Sequence, residues 1–165
     1  MPESDDLKIR VATVEDMDEI MSLAGSANEE NGFLRANPAK MAAEIWPALN
    51  LDHGICAVIG KEGGIIEGVI LMRIGSMWYS DGLVVEEKAI FIHPEYRSAK
   101  GGRARKLCEF SKRVADTLGI PLIIGVLSNS RTEAKVRLYE RQFGKPSGAF
   151  FLYGAKTGLP PEAEH

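Results

Sequence analysis

The stretch Ala89-Ile90-Phe91-Ile92-His93-Pro94-Glu95-Tyr96-Arg97-Ser98-Ala99-Lys100-Gly101-Gly102-Arg103-Ala104-Arg105-Lys106 changes character twice. Its apolar opening reads as the end of a strand, and Pro94 closes it because proline lacks the N–H that a ladder needs. From Arg103 onward Ala104, Leu107, Cys108, Ser111, Ala115 and Leu118 recur at the three- and four-residue steps of one helical face, with Gly119 as the stop. Between strand and helix lies Lys100-Gly101-Gly102. A strand, a basic glycine loop and a helix make a candidate anion site. The first amides of a helix have no internal acceptors and sit at the positive end of its dipole. Glycines let the backbone approach a ligand closely. Arg97, Lys100, Arg103, Arg105 and Lys106 add five cations within ten residues. A solvated basic face with a glycine turn would carry the same letters. A nucleoside-triphosphate P-loop is excluded, because Gly-Lys-Ser/Thr is absent.

Upstream, residues 84–93 form a long strand after the Ser80-Asp81-Gly82 turn. Residues 54–59 and 65–74, rich in Ile and Val and joined by Lys61-Glu62-Gly63-Gly64, read as an antiparallel hairpin. Residues 7–13 alternate with the period of a half-buried strand. Thr13 with Asp16 opens a helix whose buried stripe is Met17, Ile20, Met21, Ala24 and Ala27 and which ends near Asn31-Gly32. Asn37-Pro38 opens a second, carrying Met41, Ala42, Ile45 and Leu49, with Pro47 as a kink or early stop. Downstream, residues 122–127 are nearly all apolar and predict a strand buried on both faces. Ser130 with Glu133 opens a helix to about Phe143, and residues 149–153 predict a last strand. The whole reads as one domain over residues 1–154 with a flexible C-terminal tail at 155–165. Three consecutive antiparallel strands cannot be wound as a Rossmann sheet. The fold class is therefore α/β (α+β), a mixed sheet with helices on both faces.

Composition narrows the partners. The chain has 165 residues, 45% hydrophobic and 26% charged, as globular proteins do. Lys+Arg 20 against Asp+Glu 23 gives a net charge of −3, and the pI near 5.7 argues against nucleic acid as the main partner. No apolar run reaches the roughly 18 residues of a membrane span, and no secretory signal follows Met1, so membrane is not an expected partner and a cytoplasmic location is. Cys56 and Cys108 lack metal-ligand spacing and read as buried free thiols without chemistry; no metal is expected.

Ile92-His93-Pro94-Glu95-Tyr96-Arg97, followed by a glycine-basic loop and a helix, resembles the acyl-CoA motif of the GNAT superfamily of N-acetyltransferases. The likeness extends from the opening strand–helix–helix to the helix carrying Leu138-Tyr139-Glu140. It implies a mostly antiparallel central sheet, acetyl-CoA as co-substrate without a metal, and direct transfer to an amine in a ternary complex. In the family the loop reads Arg/Gln-x-x-Gly-x-Gly/Ala and its amides hold the CoA pyrophosphate. Arg97 takes the first position and Gly102 the last, while Lys100 stands where the family has its first glycine. The cofactor set this implies is Ile90, Phe91 and Ile92 along the pantetheine arm, Arg97, Lys100, Gly101, Gly102, Arg103, Ala104 and Arg105 at the pyrophosphate, and Asn129 near the arm or substrate. Tyr139 matches the family tyrosine whose hydroxyl can protonate the departing thiolate.

The reaction sets further requirements. An amine must be neutral to attack a thioester, so a base must accept its proton. Glu86 and Glu87 lie on the strand upstream of Ile90, where the family often places that base, and alternation sends them to opposite faces, with Glu87 slightly preferred. His93 is a weaker candidate, since capping the loop is an equal use for it. Glu29, Glu30 and Asn31 fall where the family forms one wall of the acceptor pocket; an exposed helix end would carry the same letters. Met77, Trp78 and Tyr79 read either as an aromatic wall or as core. The acceptor is the amine of a small molecule or peptide, and a homodimer is compatible with the sequence. The competing class is a non-catalytic acyl-CoA-binding or protein-interaction module on the same fold; a nucleic-acid binder is disfavoured by the acidic pI.

Overall fold

The computed structural model describes residues 6–97, 101–128 and 131–155. In chain order these form β1 (Leu7–Val11), a 3-10 turn at Val14–Asp16, α1 (Met17–Asn31), α2 (Pro38–Leu49), β2 (Gly54–Lys61), β3 (Gly68–Ser76) and β4 (Leu83–Ile92). A second 3-10 turn at Pro94–Tyr96 leads to α3 (Arg103–Leu118), β5 (Leu122–Ile123) and α4 (Thr132–Phe143). The sheet order is β1-β2-β3-β4-β5, antiparallel except for the β4–β5 pair. That exception follows from connectivity, since α3 carries the chain back across the sheet and so makes the next strand parallel. The mixed, mostly antiparallel sheet expected from the sequence is present.

Strand alternation splits the core in two. Cys56 and Val58 of β2, Val69 and Leu71 of β3 and Phe91 of β4 pack with Ile20 and Leu23 of α1 and Ile45, Ala48 and Leu49 of α2. Ala57, Ile59, Ile70, Met72, Val85 and Ile92 face the other way, onto Leu107, Ala104, Phe110 and Val114 of α3. Each fully buried side chain of this size stabilises by roughly 1.5–3 kcal/mol. Helices therefore cover both faces. Cys56 and Cys108 are buried free thiols, and burial pushes each up to about 12, so neither is a thiolate at neutral pH.

Local signals place the helices. The Asp16 carboxylate accepts from the Thr13 N–H at 2.8 Å and is gripped by Arg10. Asn37 caps α2 through Lys40 N–H, and α2 runs on past Pro47 to Leu49. Gly119 ends α3 with φ at 69°.

Three strand expectations are corrected. The second hairpin strand begins at Gly68 rather than residue 65, because Ile66 N–H donates to Glu19 of α1 and leaves the ladder. Residues 122–127 pair with β4 only at Leu122 and Ile123, and Ile123 and Leu127 are exposed; this is a short edge strand, not one buried on both faces. Residues 149–153 form no strand, since no neighbouring strand pairs with them, and Phe150 and Phe151 are exposed. Most of the expected tail lies outside the described residues.

Candidate active site

The short β5 opens the sheet. β4 pairs with it only at Val85↔Leu122 and Glu86↔Ile123. Beyond Glu86 the outer edge of β4 has no strand neighbour among the described residues. A cleft of about 370 Å³ lies along that edge. Ile90, Phe91 and Ile92 form its floor, Ala134, Lys135, Leu138 and Tyr139 of α4 one wall, and Gly102 to Arg105 its end. Glu30 and Asn31, from the last turn of α1, close the side beside Arg97. Most of the sequence-predicted cofactor residues thus meet in one cleft. Gly101 adjoins it, Glu29 is exposed, and Lys100 and Asn129 lie outside the described residues.

The loop entering α3 needs its glycines. Gly101 has φ 130° and Gly102 φ 58°, and a Cβ on Gly101 would sit 2.5 Å from Leu7 Cδ1. The first intrahelical bond runs from Lys106 N–H to Gly102 O at 2.9 Å, so the amides before it, in residues that line the cleft end, have no acceptor within the helix. Helix-start amides of this kind are able to bind an anion.

The cations around it have other duties. Arg97 donates Nε to Ile92 O at 3.0 Å and both terminal nitrogens to Glu30, and its guanidinium lies over the Phe91 ring. Arg103 donates Nε to Glu67 at 2.7 Å, each side chain being 5% exposed, and stacks over Tyr96. Arg105 pairs with Glu109 one turn on. Arg97 and Arg103 are thus struts between elements, and the charge of Glu30 is matched by Arg97. Asn31 takes the Ser128 hydroxyl at 2.9 Å and Lys135 Nζ at 3.1 Å. His93 Nδ1 accepts from Glu95 N–H at 3.2 Å and caps the 3-10 turn.

Glu86 and Glu87 do separate. A bulge between Leu71 and Met72 of β3 leaves Lys88 unpaired, so Met72 faces Glu87 and both point to the α3 side. There burial pushes the Glu87 carboxyl up to about 7, with Glu86 adding to the rise and Lys135 and Lys88 opposing it. Tyr139 is buried at 9%, edge-on to Phe143, and burial, then Glu87 and Cys108, hold its hydroxyl protonated well above the ordinary value. Glu86 faces the α2 side and is paired with Lys88 at 2.5 Å.

On that α2 side lies a larger groove, about 680 Å³, whose charged lining includes Glu44, Arg73, Glu86 and Lys88. Arg73 and Glu44 approach to 3.6 Å across it. Met77 joins this lining, while Trp78 and Tyr79 stand exposed at the hairpin tip; neither aromatic is core. Sequence reasoning missed Lys135, which lies one turn before Tyr139, and the Glu67–Arg103 pair. An acidic residue interrupting an apolar run was the available signal for Glu67.

No protein-family model matches the sequence, and no curated protein does. Solved structures do match. A possible acetyltransferase from Clostridium difficile 630 superposes with a TM-score of 0.68 at 17% identity, over 89% of this chain and 96% of that one. The AAC(6')-Iy structure in complex with the bisubstrate analogue CoA-S-monomethyl-acetylneamine gives 0.68 at 16%, over 89% and 96%. Ribosomal-protein-alanine N-acetyltransferase from Brucella melitensis biovar Abortus 2308 gives 0.65 at 15%, over 88% and 96%. The fold is that of the GNAT acetyltransferases, so the resemblance carried by residues 92–97 holds at the level of the fold.

Proposed function

We propose that the protein transfers an acetyl group from acetyl-CoA to an amine of a small molecule or peptide, by direct attack with both substrates bound. The observation that carries this is the cleft itself, an unpaired β4 edge ending at the first amides of α3 with Tyr139 on its wall. Those amides, reached through Gly101 and Gly102, would take the pyrophosphate, and the β4 edge would take the pantetheine amides. Acetyl-CoA supplies the activated acyl group. Among its solved neighbours are a complex with a CoA bisubstrate analogue and a ribosomal-protein-alanine acetyltransferase, so the fold does not choose between small-molecule and peptide acceptors.

Glu87 is the base in this reading. A carboxylate in water is too weak a base to take a proton from an ammonium efficiently, and burial brings Glu87 close to neutrality, where general-base catalysis is most effective. It acts when ionised, so activity should rise as pH passes about 7. Tyr139 faces the departing sulfur. An ordinary thiol ionises near about 8.5, and the Tyr139 hydroxyl well above 10, so outright transfer from tyrosine to thiolate is uphill. Its contribution is a hydrogen bond that strengthens as charge builds on sulfur, with net protonation completed by the proton the amine releases.

The test is CoA release across an amine panel covering small polyamines, amino acids and peptides. Turnover with at least one class supports the reading. Binding of acetyl-CoA without turnover on any would favour the non-catalytic module.

A further inference from the structure

We propose that Lys135 is itself an acetyl acceptor, modified on Nε by the acetyl-CoA held in the same cleft. This rests on reading the cleft as an acyl-CoA site. Lys135 lines the cleft and lies four residues before Tyr139, which puts both on one face of α4. Its amine is held by neutral groups, Asn31 Oδ1 at 3.1 Å and, more weakly, Ser128 Oγ at 3.5 Å. Among the described residues no carboxylate pairs with it. Partial burial penalises the charged form of an amine relative to water. Burial accordingly lowers its pKa, reinforced by Arg131 and Arg97 and opposed by Glu30 and Glu87. The cleft thus offers a thioester, from its own wall, an amine that releases its proton more readily than a lysine in water.

The step balances without a further reactant. Lys135 gives up a proton to Glu87 or water, and its lone pair attacks the acetyl carbonyl carbon. The C–S bond breaks, the sulfur leaves with the electron pair and takes a proton, and the nitrogen sheds its second proton. The products are Nε-acetyl-lysine, free CoA and one released proton. The product amide cannot carry charge, so Glu87 loses a cation that holds its pKa down. Modification should therefore leave less of Glu87 ionised at neutral pH and throttle transfer to other amines.

The experiment incubates the full chain with acetyl-CoA alone, reads intact mass and maps peptides, with acetyl-CoA binding followed by thermal shift. The expected result is one acetyl per chain at Lys135, at a rate that saturates with acetyl-CoA and is independent of protein concentration. Lys135→Arg, checked for folding, should remove nearly all of it, and Tyr139→Phe should slow it. Binding with Lys135 unmodified overturns this inference and leaves the proposed function standing. Label spread over exposed lysines in proportion to acetyl-CoA concentration also overturns it. Absence of binding overturns both.

Discussion

Glu87→Gln separates the base from the scaffold, because glutamine keeps the shape and removes the charge. Burial on the α3 side of β4 raises the Glu87 carboxyl from an ordinary 4.5 to about 7. At about 1.4 kcal/mol per tenfold change in proton affinity, ionising it costs the fold up to roughly 3 kcal/mol. Glu87 is not fully buried, and water trims this to about 1–3 kcal/mol. The folded value is raised, so the stability that the protonated form contributes is whole below about 4.5 and is lost as pH climbs through about 7. Glutamine has no such loss. Relative to the wild type, the variant should become steadily more stable from about pH 5 and hold a constant advantage above about pH 8. Urea unfolding of both proteins across that range measures the gap directly. Turnover should fall by roughly 10²–10⁴, the scale of a lost general base, and the rise through neutrality should vanish. A stability gap that does not change with pH would refute the placement of Glu87, and unchanged turnover would refute its role.

Tyr139→Phe deletes one hydroxyl from a packed ring. Turnover should drop by roughly 10²–10³, the scale of losing one hydrogen-bond donor to developing charge, while acetyl-CoA affinity in equilibrium binding stays put. Gly102→Glu puts a carboxylate at the α3 amides, and its positive φ adds about 1–2 kcal/mol of strain; the variant should fold but lose the acetyl-CoA thermal shift. Glu67→Ala removes the buried carboxylate that accepts from Arg103 Nε and should cost about 3–5 kcal/mol in urea unfolding. Glu67→Leu with Arg103→Met should recover most of that, and failure to recover would show that the pair is not the cause.

Local signals made the centre of the fold legible. Pro94, Gly101-Gly102 and the apolar stripe of α3 act over a few residues, and the elements they imply are where the sequence put them. The misread segments depended on neighbours. Apolar letters at 122–127 and 149–153 do not say whether a strand lies alongside, and only Leu122 and Ile123 found one. The site was legible as a set of positions rather than as partnerships. Arg97 and Arg103 looked like phosphate ligands, yet their carboxylates are 67 and 36 residues away in sequence. The side that Glu87 faces turns on the bulge at Lys88, where one extra residue reverses every side chain beyond it, and no letter marks that insertion. Nothing in the letters around Lys135 sets it apart, because what does so is its contact with Asn31 and Ser128 from distant or looped parts of the chain.

The central claim is that the cleft between the β4 edge and the first turn of α3 binds acyl-CoA, and thermal unfolding with and without acetyl-CoA tests it most directly. At a hundredfold excess over the dissociation constant, binding to the folded state alone adds about 2.7 kcal/mol. For a domain of this size the Tm should rise by roughly 5–10 °C. An unchanged melting curve at millimolar acetyl-CoA would contradict the account.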